Sequence, residues 1–285
     1  MRGVYELFHG SDGQLSEDAI ARRNRVGRDH AESTDLGAAS LEDGDVTGAL
    51  IHFRRAVEQA AGNPELAAVA QANLAGVLSF SDDLPGATHA FLQSLRLANA
   101  AEPRAGLSDV YRREGRFRDA VAELDAAIAL EPTNAFHHFK LAETLAEMGE
   151  KRRALTAMRH AIMNQPDNAF YHCFAGNLQL KLKEYSGALS AFRAAVELSP
   201  GDDYYYLRTA VAFWRLGKRT EAIRAIRMAY DLDAEKTMYA GLLYLMHSEL
   251  GQPEDAQTYA ASAKKLDAYD HSSIAKLRQE MGLDG

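Results

Sequence analysis

Apolar and small residues recur along this chain at helical spacing, and the pattern returns about every 34 residues. One alanine column runs Ala49, Ala87, Ala120, Ala154, Ala188, Ala222 and Ala256, in steps of 38, 33, 34, 34, 34 and 34 residues. Seven residues after each member stands another small one: Ala56, Ser94, Ala127, Ala161, Ala195, Ala229 and Ala263. Four residues after the first column comes a bulky apolar side chain, Phe53, Phe91, Leu124, Met158, Phe192 or Ile226, with Ala260 the exception. Twelve residues before it lie Gly37, Ala75, Ser108, Ala142, Gly176 and Ala210, and then Tyr244, which breaks the rule. Small residues let antiparallel helices approach to the short end of the ~8–10 Å range. The bulky residue one turn further along fills the space beside them. Runs of alternating apolar and polar residues are missing, so no strand is expected. The pattern predicts an all-α chain of helix-turn-helix pairs.

Turn signals fall between the paired helices, at Gly44, Gly115, Gly149, Gly217 and Gly251, while the second unit uses Ser81-Asp82-Asp83-Leu84-Pro85-Gly86. Pro132, Pro166 and Pro200 close the second helix of three units. A lone pair of this kind cannot bury its apolar face and must stack on its neighbours. The clearest unit, Ala101 to Asn134, carries Leu107, Ser108, Tyr111, Gly115, Phe117, Ala120, Leu124, Ala127 and Pro132. This constellation resembles the tetratricopeptide repeat. The resemblance covers roughly residues 30–270 and implies a superhelical α-solenoid of about seven tetratricopeptide-like repeats with a C-terminal capping helix. The expected organisation is an N-terminal segment over 1–33, the repeat solenoid over 34–270, and a capping helix and tail over 271–285.

Several positions depart from the repeat. The first unit carries about four extra residues around Ala60-Ala61-Gly62-Asn63-Pro64, roughly one helical turn. In the seventh, Tyr244 and Ala260 exchange large for small. Ile274, Leu277 and Met281 then share one face of a helix that Gly282 ends, as a terminal cap requires. At the other end, Ser16 is placed to cap a helix from Glu17 to about Arg28. The apolar cluster Val4-Tyr5-Glu6-Leu7-Phe8 reads either as a frayed end or as a peptide, with Tyr5, Leu7 and Phe8 docking into a groove of its own or a neighbouring molecule.

Solenoids of the resembled family usually line a concave face with the first helix of each unit and bind peptides or partner helices there. On that implication, residues at three- and four-step spacing mark the inner side: Phe136, Phe139 and Glu143; Phe170, Cys173, Asn177 and Leu180; Tyr204, Leu207, Val211 and Trp214. Cations flank this strip at Arg112, Arg113, Lys181 and Arg215. Aromatic anchors in such a surface carry most of a partner's binding energy. The competing reading is a core stripe, since aromatics at helical spacing serve both purposes. Arg208 and Asn177, on adjacent units, are placed to hold a carboxylate or a backbone carbonyl of a bound peptide. The family's lysine and asparagine clamp for chaperone tails is disfavoured, because its places hold Thr34, Ala38, Asn73, Glu102 and Gly106.

Composition narrows the chemistry. The 285 residues are 47% apolar with a formal net charge of −8. That balance provides no basic field for nucleic acid or an anionic membrane. The apolar runs are shorter than a membrane span needs and the first residues lack a secretory signal, so a cytoplasmic location is expected. The single cysteine, Cys173, excludes an internal disulfide. Ten histidines invite a metal reading, but His137 and His138 diverge by about 100° on a helix and His138 and His172 are one repeat apart. No cofactor or metal is expected. Nucleophile elbows, phosphate loops and zinc helices are missing, and the repeats leave no room for a catalytic domain of ~100 residues, so no enzyme is expected. The leading expectation is a non-catalytic protein-protein interaction module, an adaptor or assembly factor of chaperone-like kind, binding a peptide or helix in its groove. A self-assembling structural scaffold is the alternative. RNA binding, known in related helical repeats, is opposed by the charge and by Asp109, Glu143 and Glu147.

Overall fold

The computed structural model describes residues 17–282, with side chains from residue 27 onward except that of Tyr269. Among the described residues there are fifteen α-helices and no strand. The chain divides into two compact units, the first ending at Pro132 and the second starting at Thr133. The first contains α1 (Glu17–Glu42), α2 (Val46–Gln59), α3 (Pro64–Phe80), α4 (Leu84–Leu97), α5 (Ala101–Arg113) and α6 (Phe117–Leu130). The second contains α7 (Ala135–Glu147), α8 (Lys151–Asn164), α9 (Ala169–Lys181), α10 (Tyr185–Leu198), α11 (Asp203–Arg215), α12 (Arg219–Leu232), α13 (Thr237–Glu249), α14 (Pro253–Ala263) and α15 (Ala268–Met281). Odd and even helices pair as hairpins, from α1 with α2 to α13 with α14, and within each unit every hairpin stacks on the next.

The small-residue columns are where these helices meet. Ala49, Ala87, Ala120, Ala154, Ala188 and Ala222 have no exposed surface, and Phe53, Phe91, Leu124, Met158, Phe192 and Ile226 are buried beside them. Two glycines show how tight the contact is. A Cβ on Gly37 would stand 2.9 Å from the Phe53 ring, and one on Gly176 would stand 2.6 Å from Phe192. The bulky side chain of the second helix therefore lies directly over the small residue of the first. The turns repeat as well. Gly44, Gly115, Gly149, Gly217 and Gly251 all take positive φ, and Asp82 and Lys183 take the same conformation in the two hairpins without a turn glycine.

Two local expectations change. The helix expected over Glu17 to about Arg28 runs on without a break to Glu42. No proline interrupts it, and Thr34 donates its hydroxyl to the His30 carbonyl inside the helix at 3.0 Å. The extra turn expected of the first repeat belongs to the first helix of the second. Here α2 has the same 14 residues as α4, whereas α3 has 17 against 13 for α5. Pro64 at its first turn and Asn63 as its cap set that early start. The apolar cluster at residues 4–8 and the Ser16 cap lie outside the described residues.

Candidate functional site

In the second unit the first helices of three successive hairpins, α7, α9 and α11, are each started by a side-chain cap at the repeat period, whereas α13 begins after Lys236 without one. The side chains of Asn134, Asn168 and Asp202 accept hydrogen bonds from Phe136 N–H at 3.1 Å, Tyr171 N–H at 3.2 Å and Tyr204 N–H at 3.0 Å. Each cap fixes an aromatic residue two positions later, namely Phe136, Phe170 and Tyr204. These three rings keep 52%, 51% and 44% of their surface open to solvent. That is a large exposed aromatic area for residues so close to a packed core.

Phe139, half-buried, ties α7 to α9. Its ring meets Phe170 edge-on at 5.4 Å, stacks on Tyr171 at 5.4 Å and meets Phe174 edge-on at 5.5 Å, and it lies 6.4 Å from Phe136. Contacts of this kind hold the rings in fixed positions relative to one another. Lys140 lies 6.0 Å from the Phe136 ring centre and bonds Glu143 at 2.6 Å, so Glu143 sits beside the cluster. Tyr171 and Phe174 belong to the cluster but were not among the residues the sequence pointed to. The caps at Asn134 and Asn168 were the available signal, because they fix the phase of each helix.

Further along, the same strip is covered. Cys173, Leu207, Val211 and Trp214 are buried, and so is Arg208. The reason is that α11 is packed nearly all round: Tyr205 and every residue from Leu207 to Trp214 are buried. Trp214, 2% exposed, is a core residue rather than part of an open strip. The Arg219 guanidinium lies 4.0 Å over its ring and donates to the Trp214 carbonyl. Leu207, Val211 and Trp214 share one core with Ile274, Leu277 and Met281 of α15. An accessible role for these four apolar or thiol side chains is thereby corrected: the last helix and the neighbouring hairpins cover them.

Asn177 is the polar junction between the open and covered parts. Its oxygen accepts from Arg208 Nε at 2.7 Å, and its amide nitrogen lies 3.8 Å from Cys173 Sγ. Arg208 also donates to Glu280 at 2.6 Å, so the carboxylate it holds is the chain's own. Arg112 belongs to the first unit, where it bonds Asp109 at 2.7 Å, and the other predicted residues belong to the second.

Burial pushes the Cys173 thiol up to about 12, with Arg208 pulling the other way. A buried neutral thiol is a poor nucleophile. His138 stacks on His160 at 5.4 Å, and His172 bonds the Pro166 carbonyl at 2.8 Å. Among the described residues no three His, Cys, Asp or Glu side chains are grouped to hold a metal. Nor is any described helix long and apolar enough to cross a membrane.

Comparison with known proteins agrees with this architecture. A family profile described as "Tetratricopeptide repeat" matches residues 105–169, 139–203 and 175–237. No curated protein matches the chain. Among solved structures, the C-terminal part of a TPR repeat-containing protein from Cytophaga hutchinsonii superposes with a TM-score of 0.69 at 14% identity, over 86% of this chain and 97% of that one. A tetratricopeptide repeat protein from Parabacteroides merdae gives 0.60 at 14% identity, over 89% and 99%. YrrB, described as a TPR protein with an unusual peptide-binding site, gives 0.55 at 21% identity, over 66% and 95%. At these identities the likeness is one of fold.

Proposed function

Because a tetratricopeptide repeat profile matches residues 105–237 and the fold is that of solved tetratricopeptide repeat solenoids, we propose that the chain is a protein-protein interaction module that holds a peptide or helix of another polypeptide on the first-helix face of α7 and α9. The observation that carries this reading is the pair of half-exposed rings of Phe136 and Phe170, held together through the partly buried Phe139. Pre-ordered aromatic rings lose little entropy on binding and act as anchors for apolar side chains of a partner. Tyr204, hydrogen-bonded to Asn177, extends the face and Glu143 borders it beside Lys140, which supplies hydrogen-bonding groups around an apolar centre. The work of such a surface is recognition, in an adaptor or assembly factor of the cytoplasm, with no chemical step.

The experiment is affinity purification from the native cell with wild type against a Phe136→Ala, Phe170→Ala variant. Both rings are half exposed, so the variant is expected to stay folded. A polypeptide recovered by wild type and lost from the variant supports the reading, and recovery of the same set by both overturns it. Light scattering over a concentration series separates an adaptor from a scaffold: a fixed mass is expected, and growth with concentration favours self-assembly.

A further inference from the structure

A terminal helix that merely shields the end of a repeat stack has no need to reach back over its inner helices. Here α15 packs on α13, in the last hairpin, and also on α11, in the hairpin before it. It buries Ile274, Leu277 and Met281 in the core that holds Leu207, Val211, Trp214 and Leu242. Glu280 pairs with the buried Arg208 at 2.6 Å, and Thr237 donates its hydroxyl to Asp270. Gly241 allows the close approach, since a Cβ there would stand 2.8 Å from Ile274 Cδ1. The seat is nevertheless flanked by open clefts on both sides. A cleft of about 400 Å³ opens on one side of α15, beside Tyr244 and Ala260, and another of about 480 Å³ opens on the other, beside Tyr204 and Met238. Solvent therefore reaches both flanks of α15, although its apolar face is buried. Tyr204 lines the second cleft and is also the edge of the open aromatic face.

We propose that α15 is a displaceable occupant of the α11 and α13 face, and that this face accepts an amphipathic helix of the partner with the pattern α15 itself displays. That pattern is apolar side chains at i, i+3 and i+7, as at Ile274, Leu277 and Met281, with a carboxylate at i+6, as at Glu280. A helix laid in a groove is read through such anchors. When α15 leaves, Arg208 loses its carboxylate, so an incoming helix must bring one. The proposal rests on the first-helix face being a binding surface and extends that surface by two helices.

The test uses the full-length chain and a labelled synthetic peptide of residues 267–282. In wild type the chain's own helix competes and binding is weak. An Ile274→Asp, Leu277→Asp variant, which unseats α15, is expected to bind the peptide about tenfold tighter or more, as removal of an internal competitor requires. A Glu280→Gln peptide is expected to lose most of that gain. Equal binding to wild type and to a folded variant overturns the proposal. Hydrogen exchange on wild type tests it without any substitution: the amides of α15 are expected to exchange as a unit, about tenfold or more faster than those of α11 and α13. Equal protection overturns it. Retention of a partner that depends on Phe136 and Phe170, with no gain in peptide binding, would overturn this proposal alone and leave the aromatic face standing.

Discussion

The hairpins of α7 with α8 and of α11 with α12 are built on the same columns, yet their first helices meet solvent differently. On α7, Phe136 is half exposed, Phe139 and Glu143 are half-buried, and the rings lie against those of α9. On α11, the equivalent stretch is closed over, and Tyr204 alone of the predicted strip remains 44% exposed. The difference does not come from the repeat, whose alanines and bulky partners are buried in both. It comes from α15, which lies on α11 and α13 and contributes Ile274, Leu277 and Met281, together with α12, whose Arg219 lies over the Trp214 ring. Local periodicity thus decides which residues join hairpin to hairpin. What lies over the outward face of a first helix is decided by chain far away in sequence.

Substitutions at matched positions break this comparison by different amounts. The largest effect is expected at Trp214→Ala, which empties a core site and should cost about 3–5 kcal/mol in urea or thermal unfolding. Next comes Glu280→Ala. It removes the carboxylate from Arg208, and because Glu280 is itself nearly half exposed, a loss of about 1 kcal/mol is expected.

Alkaline titration sharpens the contrast at Cys173. Its folded value of about 12 stands above the ordinary 9.0, so the unfolded chain gives up the proton first. The contribution is intact below about pH 9 and is lost as pH rises toward 12, and Cys173→Ala should flatten that part of the stability curve. Burial also raises Tyr171, Tyr204 and Tyr205, so some alkaline loss persists in the variant. At neutral pH the native thiol should react with an alkylating reagent only after denaturant is added. The smallest effect on stability belongs to Phe170→Ala on the open face, at about 1 kcal/mol or less. Its effect on partner affinity should be about tenfold or more, the reverse of the order at Trp214.

Much of the fold is legible from residue types alone. Ala154 and Met158 on α8, or Gly176 and Phe192 across a hairpin, announce their roles because close packing tolerates only small against large. The turn at Lys183 carries no such mark, since a lysine at positive φ is held by the hairpin around it. The candidate site is legible only in part. Phe136 and Phe170 stand where helical spacing puts them, in the first turn of helices that caps at Asn134 and Asn168 begin, and both remain half exposed. Trp214 could not be assigned by spacing, because a helix packed on nearly every side has no single inner stripe. The pairing of Arg208 with Glu280 joins residues 72 positions apart, beyond the reach of any local pattern.

The central claim, that the first-helix face of α7 and α9 receives another polypeptide, is tested most directly by site-specific photo-crosslinking in the native cell. A photoreactive phenylalanine analogue is placed at Phe170, and in a second variant at Met163, which is 69% exposed on α8 of the same unit. A discrete crosslinked partner from position 170, absent from position 163, is the predicted result. The same partners from both positions, or none from position 170, would contradict the claim.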